Sequence, residues 1–153
     1  MNKITRIMVF TLLFACSATT VSSADGEQYC DWTIDNFSIM APLCGLQGDP
    51  ARGRSLAADS HGGNCLACHQ MPIAEHAFHG TVGPPLTGVG ARYNAGQIRL
   101  RIVDEQQVNP YTIMPGFYRH PRTINRIADD YWGKTILSAQ QVEDLVAYLV
   151  TLK

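Results

Sequence analysis

Cys65-Leu66-Ala67-Cys68-His69 sets two thiols three positions apart and puts an imidazole directly after the second. That spacing is the attachment signature of a c-type haem. Each thiol can add across one vinyl group of a porphyrin, and two intervening residues let both sulfurs reach neighbouring vinyls. The histidine then lies under the iron, where a ring nitrogen supplies the proximal bond. Two other readings compete. A Cys-x-x-Cys redox pair needs no histidine at the next position and belongs near a βαβ pattern, which these flanks lack. A structural zinc site wants a second pair of ligands, and none follows.

The chain has 153 residues, room for one domain and a targeting segment. Lys3 and Arg6 precede the apolar run Ile7 to Ala15, and small residues follow from Ser17 to Ala24. A basic start, an apolar core too short to span a bilayer and a small-residue tail make residues 1–24 a secretory signal peptide. Ser22 and Ala24 suit the positions before cleavage, so the mature chain is expected to begin near Asp25. Leu13-Phe14-Ala15-Cys16 also looks like a lipoprotein box that would lipidate Cys16, although Phe14 is bulky for that pattern. Either route exports the protein to the periplasm, where bacteria attach haem through thioethers. No later stretch is long and apolar enough for a transmembrane helix. Lys3 and Arg6 leave with the signal, which takes the formal net charge from −1 to −3. Nucleic acid is not an expected partner of such a chain.

Residues 25–47 form an acidic N-terminal extension, with Asp25, Glu27, Asp31 and Asp35 and no lysine or arginine. Cys30 and Cys44 are the only mature cysteines outside the haem motif, and in an oxidising compartment they form a candidate disulfide. Two buried free thiols are the alternative. The segment reads as a flap added outside the haem fold. Residues 48–153 make the main domain. Asp49 can cap a helix that has Pro50 at its first position and runs through Ala58, its small residues inviting close approach by a second helix. Ser138 and Gln141 form a capping-box pattern before Val142, Leu145, Val146, Leu149 and Leu152, which recur at steps of three and four. Glu143 and Asp144 in the first turn and Lys153 at the end would suit the helix dipole. Asn94 would cap a third helix carrying Ile98, Leu100, Ile102 and Val103 and stopping at Asn109-Pro110. There is no β alternation, so the expected fold is all-α.

The iron needs a second axial ligand or an open site. Met114, followed by the stiffening Pro115, is the leading candidate; its soft thioether would favour reduced iron. Met71 lies too near His69 to cross to the opposite haem face, and Met40 reads as packing. His61, His76, His79 and His120 compete, but each is more often a solvated loop residue. Gly83 to Arg92 is dense in glycine and proline and reads as a fixed loop rather than an element. It resembles the loop of class I cytochromes c whose proline carbonyl accepts the ring proton of the proximal histidine. That resemblance would make Pro84 the residue orienting His69 and place Arg92 near the haem propionates. Tyr131 and Trp132 read as core packing.

Several blocks in order narrow the resemblance. They are Gly63 to Gln70, Gly83 to Tyr93, Arg101-Ile102-Val103-Asp104, Asn109-Pro110, Met114-Pro115, Phe117-Tyr118-Arg119, Tyr131-Trp132-Gly133-Lys134 and Ile136 to Leu149. Over about residues 48–153 the chain resembles SoxX, the monohaem subunit of the SoxAX cytochromes of thiosulfate oxidation. The resemblance implies a class I cytochrome c-like fold and one covalently bound haem c, held by Cys65, Cys68, His69 and Met114. It implies a SoxA-type cytochrome subunit as partner in a heterodimer. Through that complex come the SoxYZ carrier, whose cysteine receives thiosulfate, and a soluble cytochrome c that takes the electrons. The bond-forming site of this L-cysteine S-thiosulfotransferase would lie in SoxA, leaving this chain without a catalytic residue of its own. An iron closed by His69 and Met114 has no free position for substrate, which agrees. Two further function classes stand beside this one: a free-standing periplasmic class I cytochrome c shuttle, and a haem enzyme or sensor with an open sixth position. Arg92, Arg99, Arg101, Arg119, Arg122 and Arg126 around the Met114 loop could also form a basic rim that steers an acidic partner.

Overall fold

The computed structural model describes residues 29–124, 128–129 and 132–153. The segment expected to be a signal peptide, with Cys16, and also Arg126 and Tyr131, lie outside the described residues. Among the described residues four α-helices carry the fold: α1 (Pro50–Ala58), α2 (Val89–Arg92), α3 (Ala95–Asp104) and α4 (Ala139–Thr151). Among the described residues the sole β feature is an isolated bridge between Asp35 and Ser38.

α1 begins where Asp49 accepts the backbone N–H groups of Ala51 and Arg52, with Pro50 at the first position. Its small residues set the distance to α4. A Cβ on Gly53 would stand 1.9 Å from the Asp144 carbonyl oxygen, and one on Gly48 would stand 2.0 Å from that of Glu143. Only glycine lets the two backbones touch there. α4 opens on a reciprocal capping box: Ser138 Oγ accepts from Gln141 N–H and Gln141 Oε1 accepts from Ser138 N–H. Val142, Leu145, Val146 and Leu149 are buried on its inner face.

The dipole reading of Glu143 and Asp144 is corrected. Both lie beyond the first turn, and both are buried. Glu143 accepts from Arg99 Nε and Nη2, each at 2.7 Å, and from Leu43 N–H at 2.8 Å. Asp144 accepts from Arg52 Nε and Nη2 and from Asp49 N–H. These two acids tie the N-terminal half of the chain to α4. Lys153 likewise lies past the helix end and donates to the Gly90 carbonyl at 2.8 Å.

α3 has its own capping box between Asn94 and Gln97, and Ile98, Leu100, Ile102 and Val103 are buried. It ends at Asp104 in a 3-10 turn over Glu105–Gln107, before the expected stop at Asn109-Pro110. The Gly83–Arg92 stretch is not all loop. Gly88, at φ 72, turns the chain into the single helical turn α2. There Gly90 packs on α4, where a Cβ would come within 2.3 Å of the Val150 carbonyl oxygen.

The extension is not a flap outside the fold. Ile39 and Leu43 are core residues, each 2% exposed. Ile39 N–H donates to the Gly96 carbonyl, and Arg99 Nη1 donates to the Ile39 carbonyl. Cys30 and Cys44 are joined by a disulfide with a Cα–Cα distance of 5.6 Å. Met40, read as packing, is exposed, and so is Trp132. Met40 packs only its sulfur on the backbone of Gly96, where a Cβ would stand 3.1 Å from Sδ, and most of the side chain faces solvent.

Candidate haem site

Asn64 adopts a left-handed conformation, φ 46, which asparagine tolerates better than most residues. It turns the chain from α1 into a 3-10 turn over Cys65–Ala67. Cys68 N–H and His69 N–H both donate to the Cys65 carbonyl, at 3.2 and 2.9 Å. Cys65, Cys68 and His69 therefore stand at i, i+3 and i+4 of one helical turn, the spacing that shares a face. Cys65 and Cys68 are free thiols, not bonded to each other. Burial pushes the Cys65 thiol up to about 11, with the nearby Cys68 adding to the rise. A redox-active Cys-x-x-Cys pair needs the opposite shift, because the thiolate is the reactive form.

The downstream loop is laced onto this turn. Gly80 N–H donates to the Leu66 carbonyl, Gly83 N–H to that of Cys68 and Leu86 N–H to that of Gln70. Two glycines make the approach feasible. A Cβ on Gly80 would stand 2.0 Å from the Ala67 carbonyl oxygen. One on Gly83 would stand 2.3, 2.6 and 2.8 Å from Cε1, Nδ1 and Nε2 of His69, so the imidazole lies flat against bare backbone. His69 Nδ1 is 2.7 Å from the Pro84 carbonyl oxygen. A carbonyl can only accept, so Nδ1 is the donor, and in the neutral ring that tautomer leaves the lone pair on Nε2. Arg92 braces the same loop, donating to the Thr87 and Pro85 carbonyls.

Met114 is half-buried, and its N–H donates to Thr112 Oγ1. The chain after it is anchored to α3: Phe117 N–H donates to the Ile102 carbonyl, and Tyr118 N–H to that of Val103. The competing histidines have other environments. His61 and His76 are exposed, His79 Nδ1 accepts from Met71 N–H, and His120 Nδ1 accepts from Arg122 N–H.

The basic rim is smaller than the arginine count implies. Arg99 is buried in its pair with Glu143. Arg101 pairs with Glu105 and lies 4.3 Å from the Tyr93 ring centroid, and Arg119 pairs with Asp104. Sequence spacing brought these arginines together as a charged run, whereas the fold spends three of them on internal partners.

The donor set fits a covalent haem. Two unbonded thiols share a turn with an imidazole whose only free nitrogen is Nε2, and Gly83 makes room for that ring. An all-helical chain folded around such a turn has the class I cytochrome c fold. Residues 50–153 match the cytochrome c family, and the chain belongs to it. No curated protein matches the chain. Among solved structures, the crystal structure of SoxXA from P. pantotrophus is similar, with 35% identity and a TM-score of 0.74 over 83% of this chain and 98% of that one. The chain is thus a SoxX-like electron-transfer cytochrome with one covalently bound haem c. Among the described residues no helix is long and apolar enough to cross a membrane.

The sequence alone does not single out Gly80 or Gly83, and it presents Arg99 as surface charge. Gly83 stands directly before the orienting Pro84, but its clearance of the His69 ring needs the fold to be seen.

Proposed function

We propose that the chain is the electron-transfer subunit of a SoxAX-type cytochrome acting on thiosulfate in the periplasm. Cys65 and Cys68 are its thioether positions. His69, through Nε2, and Met114 would be the side chains that hold the haem iron. When bound, the haem supplies a one-electron carrier whose potential is raised by a methionine ligand. The protein's part is to hold that carrier still. Pro84 fixes the His69 tautomer and keeps its ring from turning, and Arg92 holds the loop on which Pro84 sits. The SoxA-type subunit joins thiosulfate to the SoxYZ carrier cysteine and releases electrons, which this chain passes to a soluble cytochrome c.

The observation that carries this reading is the reach of the similarity to SoxXA. Residues 50–153 are about two-thirds of the chain, so a match over 83% must run well back into the N-terminal extension. A match confined to residues 50–153 would fit a generic shuttle equally well. The test is to express the chain with a SoxA-type subunit and SoxYZ from the same source. Copurification as a heterodimer and reduction of this haem on adding thiosulfate and carrier are expected. A ferric near-infrared band of methionine-ligated haem should accompany them. Ready carbon monoxide binding by the folded, reduced protein would refute the closed site.

A further inference from the structure

Residues 34–40 form a rigid turn with an apolar tip. Asp35 N–H donates to the Ser38 carbonyl and Ser38 N–H to that of Asp35, both at 2.9 Å. The two residues between them are left-handed, Asn36 at φ 44 and Phe37 at φ 56. Tight two-residue turns of this hand favour glycine at the second position, and an aromatic residue there is strained. Phe37 does not recover that strain by burial within its own chain, since it is 64% exposed. Met40 is equally exposed at 64%, and Ile34 is 42% exposed. The base of the turn, in contrast, is fixed. Ser38 and Ile39 are buried, Arg99 holds the Ile39 carbonyl, and the Cys30–Cys44 disulfide closes the segment. Three large apolar side chains held out to solvent on a preorganised support mark an interaction surface.

We propose that this turn is a docking prong for the SoxA-type subunit, an inference that rests on the function proposed above. Phe37 and Met40 enter an apolar depression on that subunit. Asp31 and Asp35 flank them, both exposed, and no lysine or arginine occurs between Asp25 and Ala51. The receiving surface should therefore be apolar at its centre and rimmed by lysine or arginine. The prong lies before residue 50, outside the match to the cytochrome c family, yet the similarity to SoxXA reaches back into that segment. A segment that lies outside the general haem-domain match, but within reach of the similarity to a two-subunit cytochrome, is suited to recognising a subunit.

The test is binding of haem-loaded protein to separately purified SoxA-type subunit by titration calorimetry at two salt concentrations. Phe37→Gly is the decisive variant, because glycine relieves the backbone strain while removing the ring. It should unfold no earlier than the wild type and keep its haem spectrum, yet bind at least tenfold more weakly. Met40→Ser should weaken binding in the same direction, and Asp35→Lys should lower the affinity and flatten its salt dependence. If the wild type binds and Phe37→Gly and Met40→Ser bind within twofold of it, the prong assignment is overturned while the proposed function stands. If the wild type shows no binding to the subunit, the functional reading falls and the prong with it. A wild-type homodimer that Phe37→Gly dissolves, with subunit binding unchanged, would overturn the assignment in favour of a second copy of this chain.

Discussion

Replacing Arg99 with methionine should cost more stability than any surface change in this protein. Arg99 and Glu143 have side chains only 5% and 3% exposed and are joined by two 2.7 Å hydrogen bonds. Removing the guanidinium strands the Glu143 carboxylate in the interior with the Leu43 N–H as its remaining donor. Breaking a buried pair from one side typically costs about 3–5 kcal/mol. The lost bond from Arg99 Nη1 to the Ile39 carbonyl adds about 1 kcal/mol. The measurement is guanidinium denaturation of the haem-loaded protein, followed by far-ultraviolet circular dichroism. Because the pair anchors residues 39–43, limited proteolysis should also begin to cut the extension. Arg99→Met with Glu143→Leu removes both charges and should recover most of the loss, ending within about 2 kcal/mol of the wild type. A single-variant cost below about 1 kcal/mol, with an uncut extension, would refute the tether.

Three other outcomes are expected. Replacing Cys30 and Cys44 together with alanine should cost about 3 kcal/mol, the loop-closure value for their 14-residue separation, and reducing agent should lower the wild type to the same midpoint. Gly83→Ala should move the His69 ring, since the new Cβ would stand 2.3 Å from Cε1; the readouts are a shifted Soret band and a changed reduction potential, and an unaltered spectrum would exclude the clearance role. Burial raises the Asp144 carboxyl, but the Arg52 guanidinium, the Asp49 N–H and Gln140 outweigh it and hold it below the usual carboxylate value. Its contribution should therefore be complete above about pH 4 and be lost as pH falls further, through the folded-state value. Asp144→Asn should flatten the acid limb of a stability–pH profile, and an unchanged limb would count against the assignment.

The haem motif, the cap of α1 and the capping box of α4 were legible because each rests on contacts between residues a few positions apart. Cys65, Cys68 and His69 fall on one turn by spacing alone. The apolar face of α4 follows from its period. Glu143, Asp144 and Arg99 were misread for the opposite reason. A local pattern offers an acid near a helix start as a dipole partner, and an arginine in a run as surface charge. Their true partners lie 44 to about 100 residues away in the chain, beyond any window of local patterning.

The covalent cofactor and the all-α class follow from the sequence itself, because thioether chemistry and helix periodicity are properties of short segments. The tertiary structure decided how the site is held. It set the His69 ring against the bare backbone of Gly83, paired its Nδ1–H with the Pro84 carbonyl and drew Ile39 and Leu43 into the core. Those results depend on which distant backbones come into van der Waals contact. Only the folded chain brings Gly83 over His69 and the extension beneath Arg99.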